Sequence, residues 1–275
     1  MKYTHLFATD MDYTLLMPGK AISEENIKAV KALEEHGIAF TLSTGRSSFL
    51  TGKYARVLDI KVPIITSNGA ALYDYSLHKD IYSDDFSDEC LRAQLKLIFE
   101  QGIDATGYSS SGLYLAPGTK RRDFLINYNA TEPDYDKAPL YELTPDMLDG
   151  KLPKFNKFLL VGADQKTVDQ FRNMDELDVV SSAKDFEDVM RKGATKGNAL
   201  MVLADKLGIP RTNTFAIGDA DNDISMLDAA GKAIAMGNAT PEVLKLADYI
   251  TTTCKENGFA KAIYDYVIPM VEANR

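Results

Sequence analysis

Residues 3–15 read YTHLFATDMDYTL, an apolar run that ends in two aspartates, Asp10 and Asp12, with a hydroxyl two residues further on at Thr14. The run reads as a β-strand. Side chains at positions i and i+2 leave an extended chain in the same direction, so this strand end presents both carboxylates together. The rest of the chain has to explain what two adjacent negative charges are for.

Immediately downstream, Ser23 is a natural N-cap, and Glu24 and Glu25 suit the positive end of a helix. Ile27, Val30 and Leu33 keep helical spacing until Gly37 stops it. IAFTLST (38–44) and PIITSNGA (63–70) read as second and third strands. Strands alternating with amphipathic helices predict βαβ units and a parallel sheet.

From 72 to 86 the pattern becomes a hairpin leading outward, followed by a helix over 88–102. The middle of the chain, rich in Tyr, Ser, Pro and Asp, reads as an inserted module, with strand, helix and strand at 154–163, 165–174 and 177–183. A helix opening near Thr195 and closing at Gly208 restores the βα rhythm. Strands follow at 213–220, 232–237 and 248–252, with helices at 222–231, 241–247 and 258–270. The predicted architecture is α/β: a Rossmann-like parallel-sheet core (1–82 and 191–275) with an inserted α+β cap domain (83–190).

In open parallel sheets, ligands bind outside the carboxyl ends of the strands. The polar residues at those ends are Asp10, Asp12 and Thr14; Thr44, Gly45 and Arg46; Ser67, Asn68 and Gly69; and Gly218, Asp219, Asn222 and Asp223. Lys196 opens the first helix after the insertion and can reach the same mouth. Four carboxylates in one cleft repel each other unless a cation lies among them. All-oxygen ligation suits a hard ion such as Mg²⁺, which keeps waters and a substrate phosphate in its shell.

The ordered set Asp10-x-Asp12-x-Thr14, Thr44-Gly45-Arg46, Lys196 and Gly218-Asp219-x-x-Asn222-Asp223 resembles the haloacid dehalogenase superfamily, and within it the Cof-type sugar-phosphate phosphatases. The motifs span roughly 1–80 and 190–275; the middle matches only in length and α+β character, as that family's cap would. The resemblance implies a nucleophilic Asp10 that forms an aspartyl-phosphate, and an Asp12 that acts as general acid and then base. It implies phosphate held by Thr44, Asn222, Lys196 and the amides of Met11, Asp12 and Gly45. Mg²⁺ would be held by Asp10, the Asp12 carbonyl and Asp219, with Asp223 acting through water. Arg46 and Asn68 would orient the site or touch substrate. An acid at position 12 points to phosphate esters rather than to dehalogenation. Tyr13 stands where the family usually has Gly, which bears on specificity more than on activity.

The expected activity is Mg²⁺-dependent hydrolysis of small phosphate monoesters, sugar phosphates foremost. Two alternatives stay open: a phosphomutase of the phosphomannomutase type, and a non-catalytic sugar-phosphate sensor. A net charge of −9 over 275 residues disfavours nucleic acid and anionic membranes as partners. Cys90 and Cys254 are too far apart in sequence for a Cys-x-x-Cys site. With no signal-like apolar start, a cytoplasmic location is expected. His5, His36 and His78 show no ligand spacing and read as structural. Lys120–Arg122 reads as a solvated basic run that, in a cap, can meet a phosphorylated substrate.

Overall fold

The computed structural model describes residues 3–17, 19 and 22–273. Its elements run in chain order as β1 (His5–Thr9), α1 (Glu24–Glu35), β2 (Ile38–Leu42), α2 (Gly52–Val57), β3 (Ile64–Thr66), β4 (Ala71–Asp74) and β5 (Lys79–Ser83). There follow α3 (Asp88–Gln101), β6 (Ala105–Ser109), β7 (Gly112–Leu115), α4 (Arg122–Thr131), β8 (Leu140–Glu142), β9 (Lys157–Val161), α5 (Gln165–Arg172), β10 (Leu177–Ala183) and β11 (Phe186–Arg191). The chain closes with α6 (Lys196–Leu207), β12 (Thr214–Gly218), α7 (Ile224–Ala229), β13 (Lys232–Ala235), α8 (Pro241–Leu246), β14 (Tyr249–Ile250), α9 (Gly258–Ala262) and α10 (Ile268–Ala273).

The expected parallel sheet is present, in the order β14-β13-β12-β1-β2. Apart from the edge strand β14, its strands are buried on both faces, as a sheet covered by helices on either side requires. Phe7, Phe40 and Phe215 point to one side with Val30 and Leu33 of α1 and Phe259 of α9. Leu6, Ala8 and Ala216 point to the other, against Leu200 and Leu203 of α6 and Val243 of α8. Ser23 caps α1 and Thr195 caps α6 by accepting from Asn26 and Asn198. The predicted third strand, β3, joins this sheet only through a bridge between Ser43 and Ile65, and otherwise pairs antiparallel with β4 and β5.

The second sheet, β10-β11-β9-β6-β7-β8, is antiparallel except for the β7–β8 pair. The sequence reading found β9, α5 and β10 here but not β6, β7, β8 or β11. The reason is local. β6 reads ATGYS, and a Cβ on its Gly107 would lie 2.6 Å from the Phe155 ring, so the rings of Phe155 and Phe158 fill the space that a strand side chain usually fills. The closing helix is also not continuous: residues Ile263–Val267 widen into a π-helical turn next to Pro269, which cannot donate to the carbonyl four residues back.

Candidate active site

Backbone hydrogen bonds bring the strand ends together. The Asp10 amide donates to the Ile217 carbonyl at 3.0 Å, that of Ser43 to Thr9 at 2.7 Å and that of Thr44 to Ile65 at 3.0 Å. Past the strands, the Asn68 amide donates to the Thr44 carbonyl and the Ser67 amide to the Arg46 carbonyl, each at 2.9 Å. Two glycines permit this closeness. A Cβ on Gly69, whose φ is +99°, would lie 2.1 Å from the Thr195 carbonyl oxygen. On Gly218 it would lie 2.5 Å from the Asp223 carboxyl. Either clash would push a motif out of the cleft.

Lys196 is the centre of the arrangement. Its side chain is fully buried at the first position of α6, and Nζ donates to Asp10 Oδ1 and Asp223 Oδ1, both at 2.6 Å. Burial opposes its charge, but the two carboxylates outweigh burial and hold the ammonium above its ordinary pKa. The other Asp223 oxygen accepts from the Asp219 and Ala220 amides at 2.9 and 3.1 Å. Thr14 donates to Asp219 Oδ1 at 2.6 Å, so the hydroxyl at the end of the opening motif holds an acid 205 residues away.

Asp10, Asp219 and Asp223 each offer a carboxylate oxygen within 4.8 Å of the others. Burial drives Asp10 well above the usual carboxylate range, although Lys196 pulls it down. Burial, with the Asp223 charge adding to it, pushes Asp219 up to about 7. Carboxylates this averse to their own charge, with oxygen donors only, fit a hard divalent cation. Both Asp223 oxygens accept hydrogen bonds, and both Asp219 oxygens do too, from Thr14 at 2.6 Å and from Asn238 at 3.4 Å, whereas Lys196 engages Asp10 through Oδ1.

Asp12 faces the other way along the cleft. Both its oxygens accept from Arg46, Nε to Oδ2 at 3.0 Å and Nη2 to Oδ1 at 2.6 Å, with the guanidinium 5.4 Å from the Tyr54 ring centroid. Of the residues singled out in the sequence, Asp10, Asp12, Thr44, Gly45, Arg46, Asp219 and Asn222 line one cavity of about 600 Å³, while Lys196 and Asp223 are buried beside it. Met11 turns its side chain into the apolar core. Asn68 is held behind the cleft, donating to Asp188 Oδ2 at 2.7 Å and accepting from Asn222 at 3.2 Å. Tyr13 lines the mouth, 58% exposed, at φ +66°; it adopts the left-handed backbone that a glycine would take without strain.

The sequence reading missed the far wall. Lys157 on β9 donates to the Gly45 carbonyl at 2.6 Å and lies 2.6 Å from Asp188 Oδ1 on β11, a buried ion pair held by charge rather than by hydrogen-bond geometry. Its ammonium also lies 4.2 Å from the Tyr108 ring centroid. The available signal was a lysine inside an otherwise apolar strand, KFLLV, since a buried cation implies a partner.

The sequence profile of the family described as haloacid dehalogenase-like hydrolase matches residues 7–263. The 5-amino-6-(5-phospho-D-ribitylamino)uracil phosphatase YcsE of Bacillus subtilis is 31% identical over 265 residues, 96% of each chain. The pyridoxal phosphate phosphatase YbhA of Escherichia coli is 27% identical over 271 residues, 96% of this chain and 99% of its own. A solved haloacid dehalogenase-like hydrolase from B. subtilis superposes with a TM-score of 0.80 at 28% identity, covering 96% of this chain and 99% of its own. Among the described residues no helix is long and apolar enough to cross a membrane. With these matches running through every strand-end motif, the chain belongs to the haloacid dehalogenase-like hydrolases, as a phosphatase.

Proposed function

We propose that the protein hydrolyses small phosphate monoesters with Mg²⁺ by way of an aspartyl-phosphate, using 1–82 and 191–275 as catalytic core and 83–190 as a substrate-selecting cap. The observation that carries this reading is the buried lysine shared by Asp10 and Asp223, with Asp219 close by and Asp12 apart on Arg46. It separates two carboxylates into two environments, one beside a lysine and acids, one on an arginine. Such separation suits a nucleophile and a proton-transfer group.

Asp10 attacks phosphorus through the oxygen not held by Lys196, and the bond to the ester oxygen breaks. Asp12, swung off Arg46 and protonated, gives its proton to the departing alcohol. Its carboxylate then takes a proton from the water that opens the aspartyl-phosphate, which releases phosphate and restores Asp10. Thr44, Asn222, Lys196 and the Met11, Asp12 and Gly45 amides hold the phosphoryl oxygens, where positioning and charge do most of the catalysis. Asp10, the Asp12 carbonyl and Asp219 would hold Mg²⁺, Asp223 acting through water; when bound, the ion neutralises carboxylate and phosphate charge. Arg46 holds Asp12 until it is released toward the substrate, and Asn68 orients Asn222.

The substrates are small phosphorylated metabolites. The relatives are named for a ribitylaminouracil phosphate and for pyridoxal phosphate, and both belong with sugar phosphates in that class. The test is phosphate release from p-nitrophenyl phosphate with Mg²⁺ and with EDTA. Turnover with Mg²⁺ that EDTA abolishes is expected; no turnover in either, by protein that still binds a phosphorylated ligand, favours the sensor. Phosphate moved to a second hydroxyl rather than to water favours the mutase.

A further inference from the structure

We infer that Arg121 forms a second recognition site, about a strand's length from the catalytic aspartates, for the oxygen-bearing edge of a flat ring carried by the substrate. The inference rests on the phosphatase reading above and concerns the other end of the molecule that is cleaved.

The wall of the cavity is one face of the second sheet, and its register gives a ruler. Lys157, Leu159 and Val161 alternate along β9 and all line the cavity; Asp188 pairs with Leu159, and Phe186 pairs with Val161. Lys157 touches Gly45 in the phosphate-binding turn. Four residues of strand rise put Val161 and Phe186 roughly 13 Å further along. A bare phosphorylated sugar does not reach that far; a phosphate separated from a ring by a chain of several carbons does.

At the Phe186 end the chemistry changes. The Arg121 guanidinium carbon lies 5.7 Å from the Phe124 ring centroid and 5.9 Å from that of Phe186, and all three residues line the cavity. Arg46, Lys53 and Lys157 are each paired with a carboxylate, which leaves Lys120 and Arg121 as the cavity's unpaired cations among the described residues. The Arg121 Nε is buried and has no hydrogen-bond acceptor among them. An atom closed to solvent is closed to a ligand as well, so recognition falls to the rest of the guanidinium, which belongs to a cavity-lining residue with no carboxylate partner among the described residues. A guanidinium presents its N–H groups as a planar fork, and flanking aromatic faces accept a flat ring. The fitting group is a ring with carbonyl or other acceptor oxygens at its far edge.

The experiment compares 5-amino-6-(5-phospho-D-ribitylamino)uracil with ribitol 5-phosphate, which has the same phosphate and carbon chain without the ring. The readout is the ratio of their kcat/KM values on one sample, so any unfolded fraction cancels. Wild type is expected to favour the ring compound, and Arg121→Gln to lower the ratio by about tenfold or more, chiefly through KM. Arg121→Lys, which keeps the charge but loses the fork, is expected to fall between them. A ratio unchanged in Arg121→Gln, or a wild type that turns over ribitol 5-phosphate alone, overturns the second site while leaving the phosphatase reading intact. A wild type that cleaves neither compound, nor p-nitrophenyl phosphate, overturns the phosphatase reading itself.

Discussion

The two ends of the cavity are built on opposite principles. At the aspartate end nearly every polar atom has a partner from a distant part of the chain: Lys196 to Asp10 and Asp223, Thr14 to Asp219, Arg46 to Asp12. At the Arg121 end the wall is aromatic and aliphatic, and its cations, Lys120 and Arg121, have no carboxylate partner among the described residues. On the proposed function, the first end is pre-organised for one unchanging group, the phosphate. The second is left unsatisfied and is completed by whatever the phosphate is attached to. Chemistry common to a family collects where the network is closed, and selectivity where it is open.

The strongest way to break this contrast is at the closed end. Asp10→Asn keeps the shape and removes the proposed nucleophile; turnover of p-nitrophenyl phosphate should fall by about a thousandfold or more with the circular dichroism spectrum unchanged. Retained turnover would mean that water attacks phosphorus directly.

Lys196→Met tests whether the closed network also supports the fold. It leaves two buried carboxylates without their cation and should lower stability by about 3 kcal/mol in denaturant titration. An undiminished midpoint would show that the lysine is there for catalysis alone.

Asp80, on β5 in the three-stranded sheet with β3 and β4, does not line the cavity and is a control outside both ends. Burial, with Asp85 adding to it, raises its carboxyl to about 6. An acid raised on folding holds its proton more tightly when folded, so its stabilising effect is full below about pH 4 and is lost as pH rises through 6. Asp80→Asn should therefore add about 1 kcal/mol at pH 7 and nothing near pH 4, with the same activity ratio as wild type. A gain of equal size at both pH values would refute the titration as its source.

The smallest expected effect is at the mouth. Tyr13→Gly relieves left-handed strain of about 1 kcal/mol, partly offset by the extra freedom of glycine when unfolded, so stability should rise by less than about 1 kcal/mol. A loss would show that contacts of the exposed tyrosine hold it in place. A change in KM for the ring compound without one for ribitol 5-phosphate would extend the open end to the entrance.

The closed end was legible because its residues follow buried strands with helical or glycine punctuation. HLFAT, IAFTL and TFAIG are unmistakable as strands, and a parallel sheet forces their carboxyl ends to one edge. The Gly-Asp-x-x-Asn-Asp motif also carries its own geometry, since Gly218 is what lets Asp223 fold back. The middle of the chain resisted reading because Gly107 and Tyr114 take their strand character from the rings packed on them, not from local propensity. Lys120–Arg122 was visible only as a basic run, with nothing to show that Arg122 pairs with Glu142 while Arg121 turns between two phenylalanines.

By itself the sequence determined the α/β pattern, the family and the set of acids, lysine and hydroxyls at the strand ends, because periodicity and motif spacing are local and survive without coordinates. Only the tertiary structure decided that Thr14 serves Asp219, that Arg46 holds Asp12, that Lys157 and Asp188 form a wall, and that Arg121 Nε has no acceptor among the described residues. Those are facts about which groups meet after long stretches of chain have closed, and whether a buried polar atom is satisfied depends on that meeting rather than on its neighbours in sequence.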